Sequence, residues 1–399
     1  MVGEDTRLWR QVAHEAARRP RQVDNHLDVR GVAVEVAHVP RLAAGLAARQ
    51  TASLEWAMLP FRCCADITPA SCARAKMPGG SSREMAMRKW LFAGFFATIL
   101  SGPAAAWWDG GHMQIAAIAY DQLTPTARAK ADALIRLNPQ YASWVAGVPA
   151  GDAAQVAFVR ASTWADDIKT PELGHTEAGD TPGNPEAGRN IGYYDNLMHK
   201  YWHFKDIGFS TDGTPVEDAD PVNALTEIQA LTQGLSPASG LPDDVRSYDL
   251  VWLLHLVGDA HQPLHATARF SHAQQHGDQG GNLAKVIPAS GETIALHAYW
   301  DRLLGGYTTP AGAIRDALED KNTKLPPADS ALAGVSDPSV WFDESQRLAQ
   351  NVAYADPVLS CTQACELDRA YETKARQTAR AQAALAGARL AHLINEALK

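Results

Sequence analysis

From residue 107 onward the sequence predicts an all-α fold, one mainly α-helical domain of about 290 residues with a small β-hairpin at most. Three observations carry that reading. Segments with apolar helical spacing and helix-boundary residues recur along the whole stretch. No strand–helix–strand alternation appears, and no segment repeats at a fixed period.

The first helix spans 111–122. Thr124 followed by Pro125 is an N-cap with proline at the first helical position, opening a second helix that runs to about Leu137. Residues 158–168 form a third, and 170–189 are a loop rich in Gly, Pro and Asn. Further helices cover 221–235 and 243–259. The second of these carries 245–257, rich in Leu, Val and Trp without a helix breaker, and so is expected to be buried. Residues 266–296 mix a polar loop with Gly280-Gly281-Asn282 and an apolar alternation at 283–287 that suits a small hairpin. Helices over 339–353 and 372–398 close the domain, the last amphipathic.

The first quarter has another character. Residues 1–84 show no sustained apolar periodicity and read either as a mis-assigned upstream start or as a disordered extension. Residues 85–106 combine a basic start, an apolar run of about a dozen residues and an Ala-x-Ala exit, the pattern of a secretory signal peptide cut after Ala106. The expected location is secreted or periplasmic. Cys63, Cys64 and Cys72 precede that cut, and Cys361 and Cys365 follow it as a pair suited to a local disulfide in an oxidising compartment.

Residues 107–399 carry 22 Lys+Arg against 36 Asp+Glu, a formal charge of −14. That excludes a broad basic surface for gripping nucleic acid, so any phosphate chemistry must draw its positive charge from metals.

The densest chemistry lies in His255-Leu-Val-Gly-Asp259-Ala-His261-Gln-Pro-Leu-His265. On a helix His255 and Asp259 share one face, and Pro263 ends the helix so that the turn can bring His265 back toward them. A buried imidazole and carboxylate need a partner, and a divalent cation satisfies both. His261 lies off that face. His297-Ala-Tyr-Trp-Asp301 repeats the His-x-x-x-Asp spacing, so more than one metal is expected. Imidazole and carboxylate without thiolate suit zinc, with manganese and iron as alternatives. Trp164-Ala-Asp166-Asp167, Tyr201-Trp-His203-Phe204-Lys-Asp206 and Trp107-Trp-Asp-Gly-Gly-His112 add further ligand types. Cleavage after Ala106 frees the Trp107 amine, which with its own carbonyl oxygen can chelate a metal.

As an ordered set, these motifs resemble the secreted zinc-dependent single-strand-specific nucleases, which also act as 3′-nucleotidases and belong with the zinc phospholipases C. The resemblance covers 107–399 and implies a zinc-dependent nuclease domain there, with three zinc ions. Asp166, His203, His255 and Asp259 would hold one; His265, His297 and Asp301 a second; the Trp107 amine and carbonyl, His112 and Asp259 a third. It selects Asp166 over Asp167 as ligand, leaves His261, His272 and His276 outside the site, and makes Asp166 and Asp259 the catalytic carboxylates. It implies direct attack by water on single-stranded DNA, RNA and 3′-nucleotides, leaving 5′-phosphate ends. Phe204 would stack on the unpaired base, or else is a core aromatic, and Asp206 would accept hydrogen bonds from the base edge. Asn282 would position the phosphate, orient Asp166, or simply hold a tight turn. A monomer without stable membrane association is expected. Two alternatives remain: a zinc phospholipase C, whose last ligand resembles Glu where this chain has Asp301 and which lacks the Phe-x-Asp pair, and a metal-storage protein.

Overall fold

The computed structural model describes residues 107–399. The expectations for 1–84 and for the signal peptide lie outside the described residues. Within them the fold is mainly α-helical, as expected, with a few short strands.

Helix α1 (Asp109–Asp121) and α2 (Pro125–Ile135) follow the sequence closely, and the Thr124 hydroxyl accepts the Ala127 amide to cap α2. A short α3 (Tyr141–Trp144) precedes the first departure. Instead of one helix over 158–168 there are two, α4 (Ala153–Ala161) and α5 (Trp164–Asp167). The cause is local. Ser162 Oγ donates to the Val159 carbonyl at 2.7 Å and Thr163 Oγ1 to the Arg160 carbonyl at 3.1 Å, so these hydroxyls take up carbonyls at the end of α4. The break turns Asp166 out of line with α4.

After a long loop, α6 (Ala224–Leu235) opens on Asn223, whose side chain caps the helix while Thr226 bonds back to the Asn223 amide. α6 packs against α7 (Asp243–Asp259). α7 runs through the middle of the protein: every residue from 245 to 259 except Arg246 is buried. A helix buried all round has no apolar stripe to orient it, so its polar side chains set its rotation.

Strands are more numerous than a single hairpin. β1 (Gly208–Ser210) and β2 (Ala268–Phe270) pair in parallel, while β3 (Lys285–Ile287) forms the expected hairpin with β4 (Ile294–Ala295). β3 also takes β5 (Cys365–Glu366) as a parallel neighbour. Cys365 bonds to Cys361 in the anticipated disulfide. α8 (Leu296–Asp301) follows β4 directly. α9 (Pro310–Ile314), α10 (Ser330–Ala333) and α11 (Pro338–Leu348) lead to the long closing helix α12 (Arg369–Ala397). The helix expected over 339–353 is α11 followed by a π-helical turn, Ala349–Ala353.

α12 packs along α1 so closely that a Cβ on Gly387 would stand 2.7 Å from Ile118. The chain's first and last described helices thus share one apolar core with α7. Among the described residues no helix is long and apolar enough to cross a membrane.

Candidate metal centre

Five segments converge on the C-terminal end of α7. The first turn of α1 brings His112, α5 brings Asp166, and a 3₁₀ turn (Lys200–His203) brings His203. α7 contributes His255 and Asp259; the 3₁₀ turn after it (Pro263–Ala266) adds His265, and α8 adds His297 and Asp301. Three sets have ligand-type atoms within 4.8 Å of one another: His112, Asp166 and His255; His203, His255 and Asp259; His265, His297 and Asp301.

Asp259 joins them. Its Oδ2 lies 3.0 Å from His203 Nδ1 and 3.3 Å from His255 Nε2, while Oδ1 lies 3.4 Å from His112 Nε2. The one-turn spacing of His255 and Asp259 makes that pair, as the helical geometry requires.

Backbone carbonyls aim three of the rings. Nδ1 of His255 meets the Ser162 carbonyl at 2.7 Å, that of His265 the His203 carbonyl at 2.7 Å, and that of His297 the Gly280 carbonyl at 2.8 Å. Each carbonyl accepts an Nδ1–H, which leaves Nε2 as a bare lone pair pointing inward. The Lys205 amide donates to the His265 carbonyl at 2.8 Å, so the His203 and His265 turns brace each other. His265 Nε2 and His297 Nε2 then face each other at 3.1 Å, two acceptors without a proton between them. A cation resolves that opposition.

The same need recurs across the cluster. Both ring nitrogens of His112, both carboxylate oxygens of Asp166, His203 Nε2, His255 Nε2 and Asp259 Oδ1 are buried without a hydrogen-bond partner. Native interiors tolerate few such atoms, so this donor set fits divalent metal ions. Burial also keeps the imidazoles neutral, the form a metal takes. It lowers His255 to about 3 with the help of Lys169, lowers His297 to about 4, and holds His112, His203 and His265 well below their usual value. Burial likewise pushes Asp259 and Asp301 well above the usual carboxylate range, a cost that a bound cation reverses.

Two contributors were not singled out from the sequence. Lys169 Nζ lies 2.7 Å from Asp166 Oδ1, an ion pair without the direction of a hydrogen bond. Gln262 Nε2 donates to Asp301 Oδ1 at 2.8 Å and its Oε1 accepts the Leu264 amide, so one side chain orients a carboxylate and caps the next turn. The Lys169 spacing, three residues after Asp166 on a helical segment, was a usable signal.

The remaining predicted positions are placed as follows. Trp107 is fully buried, its Nε1 donating to the carbonyl of Gly258, directly before Asp259. Asp167 turns away to Arg160 at 3.0 Å. His261 is buried between the Val257 carbonyl and Arg389, which also holds Glu344; His272 and His276 are exposed beside Asp212 and Glu217. Phe204 is half-buried against the core, and half-buried Asp206 is pushed up to about 7 by burial and by the like charges of Asp278 and Asp220. Asn282 donates to the Gln279 carbonyl at 2.8 Å, within its own turn.

A mainly helical domain built around a buried imidazole–carboxylate cluster is the architecture of a metal-dependent hydrolase. Residues 107–399 match the S1/P1 nuclease family along their whole length, and the chain belongs to that family: it is a metal-dependent nuclease acting on nucleic acids. The chain is similar to nuclease PA3 of Penicillium sp and nuclease P1 of Penicillium citrinum. Each is 24% identical over 279 residues, covering 65% of this chain and 91% of the relative. No observation favours the phospholipase alternative.

Proposed function

We propose that residues 107–399 form an endonuclease domain that hydrolyses single-stranded DNA and RNA, and 3′-nucleotides, to products with 5′-phosphate ends. Its cofactor is three zinc ions. Asp166, His203, His255 and Asp259 hold the first, His265, His297 and Asp301 the second, and the Trp107 amine and carbonyl with His112 and Asp259 the third. The observation that carries the reading is the run of orphaned buried polar atoms on His112, Asp166, His203, His255 and Asp259. Zinc held there supplies Lewis acidity toward phosphate oxygens and lowers the pKa of water toward about 7.

The chain's own residues do the rest. Asp259 ties the histidine sets together, and Lys169 holds Asp166 in place from the other side. Phe204 stacks on an unpaired base, and Asp206 accepts hydrogen bonds from the base edge. Single-strand preference follows, because a paired base cannot reach an aromatic face. Tight turns at Asn282 and Gly280 set the His297 carbonyl partner, which is the role we assign to Asn282.

Incubating the zinc-loaded protein in parallel with heat-denatured DNA, duplex DNA, RNA, 3′-AMP and phosphatidylcholine tests the reading. Cleavage of the denatured DNA and RNA to 5′-phosphate ends, with release of phosphate from 3′-AMP, is expected. Equal cleavage of duplex DNA, or release of phosphocholine without nucleotide products, would overturn it.

A further inference from the structure

Beside the metal centre lies an aromatic that the hydrolytic reading does not use. Trp108 is 48% exposed although Trp107 directly before it is fully buried. Its amide donates to the Asp301 carbonyl at 3.2 Å, so it is fixed between the Trp107 segment and the last turn of α8. The residue that follows α8, Arg302, lays its guanidinium over the indole at 4.7 Å, and Glu292 holds that guanidinium from the edge at 3.1 Å. One face of the indole is therefore backed and rigid, and the exposed half of the residue is left for another planar group.

A second exposed aromatic shares this edge. Tyr307 is 56% exposed, and its backbone packs over Gly110, where a Cβ would meet the Tyr307 carbonyl at 3.2 Å and the Gly305 carbonyl at 2.8 Å. Trp108, Arg302 and Tyr307 thus lie around the first turn of α1 and the end of α8. The domain's charge of −14 leaves little cationic surface to track a phosphate backbone. A strand held here must be held largely by its bases.

We propose that Trp108, backed by Arg302, is a stacking platform for a further base of the single-stranded substrate, beyond the one at Phe204. This rests on the reading of the chain as a single-strand nuclease. Stacking is sequence-tolerant, and because Glu292 offsets the Arg302 charge, the affinity it adds depends little on salt.

The test uses the whole protein, a ten-residue oligo(dT) carrying one 2-aminopurine, and 3′-dTMP as the single-base reference. In the wild type the 2-aminopurine is quenched on binding to the zinc-loaded protein, read by stopped flow before cleavage, when it stands at the position that reaches Trp108. In Trp108→Ala that quench is lost, and KM for the oligonucleotide rises about fivefold or more relative to KM for 3′-dTMP on the same variant. Trp108→Phe restores most of both, and Arg302→Gln weakens both in the same direction as Trp108→Ala. An unchanged quench in Trp108→Ala, or equal losses on the two substrates, would overturn the platform. A wild-type protein that neither binds nor cleaves the oligonucleotide while still hydrolysing 3′-dTMP would remove the single-strand reading, and the platform with it.

Discussion

A Cβ added to Gly258 would stand 2.9 Å from Nδ1 of His112, closer than real side chains approach. α7 therefore reaches the His112 ring only because it carries glycine one residue before Asp259. Gly258→Ala should tilt that ring away from Asp259 Oδ1, now 3.4 Å from its Nε2, and destabilise the fold by about 1–3 kcal/mol. Zinc per chain, measured by mass spectrometry on dialysed protein, should fall. Full zinc content in the variant would show that His112 has room to move or is not a ligand.

Removing metal should cost stability as well as activity, since buried polar atoms of five side chains lose their partner. With zinc at a thousand times its dissociation constant the linkage is worth about 4 kcal/mol. Urea midpoints in zinc and in EDTA check this, and identical midpoints would argue against a cation at the cluster.

The Trp107 amine gives a sharper case. A protein that begins at Trp107 should bind three zinc ions, whereas one retaining a single extra residue before Trp107 should bind fewer and lose activity. Equal zinc content in the two forms would remove the amine from the ligand set.

Asp206 predicts a pH dependence. Burial, with Asp278 and Asp220 nearby, holds its carboxyl at about 7 in the folded protein. As an acceptor for a base edge it must be ionised, so nucleotide affinity should rise as pH climbs through about 7. Folding runs the other way: a raised folded pKa gives a contribution complete below about 4 and lost as pH rises toward 7. Asp206→Asn should flatten both profiles, and isothermal titration with adenosine, which carries no phosphate to hydrolyse or titrate, from pH 5 to 9 would reveal any slope that persists.

His199 is buried between two carboxylates, Nε2 at 2.8 Å from Asp195 and Nδ1 at 3.3 Å from Asp180, and it stacks on Trp202 at 3.9 Å. Burial alone lowers an imidazole's pKa, but here Asp180 and Asp195 overcome it and leave the value raised. Its stabilising contribution is thus complete below about 6.5 and fades as pH rises through the folded value. His199→Gln should cost about 3–5 kcal/mol at pH 6 and less at pH 9, read from urea denaturation at each pH. A loss independent of pH would mean that His199 is neutral in the fold.

Much of this was legible because the strongest signals were local. A breaker-free apolar stretch gave α7 its limits, and the His255–Asp259 spacing follows from helix geometry alone. What escaped depends on atoms that spacing does not show. The hydroxyls of Ser162 and Thr163 split a helix that periodicity alone would continue. β1 and β2 are three residues each and pair across some sixty residues of chain, too short for a pattern and too distant for a turn signal. The spacing of Lys169 from Asp166 does not show which way its side chain turns, and the choice among the three roles of Asn282 came only with its amide placed in its own turn.

The packing of α12 on α1 has a consequence for synthesis. Ile118 and its neighbours on the first helix are covered by residues around Gly387, which leave the ribosome about 270 residues after them. The α1 face on which α12 packs therefore stays bare until α12 itself has been made. Chains ending before Arg369 should be digested rapidly in limited proteolysis and bind no zinc at His112.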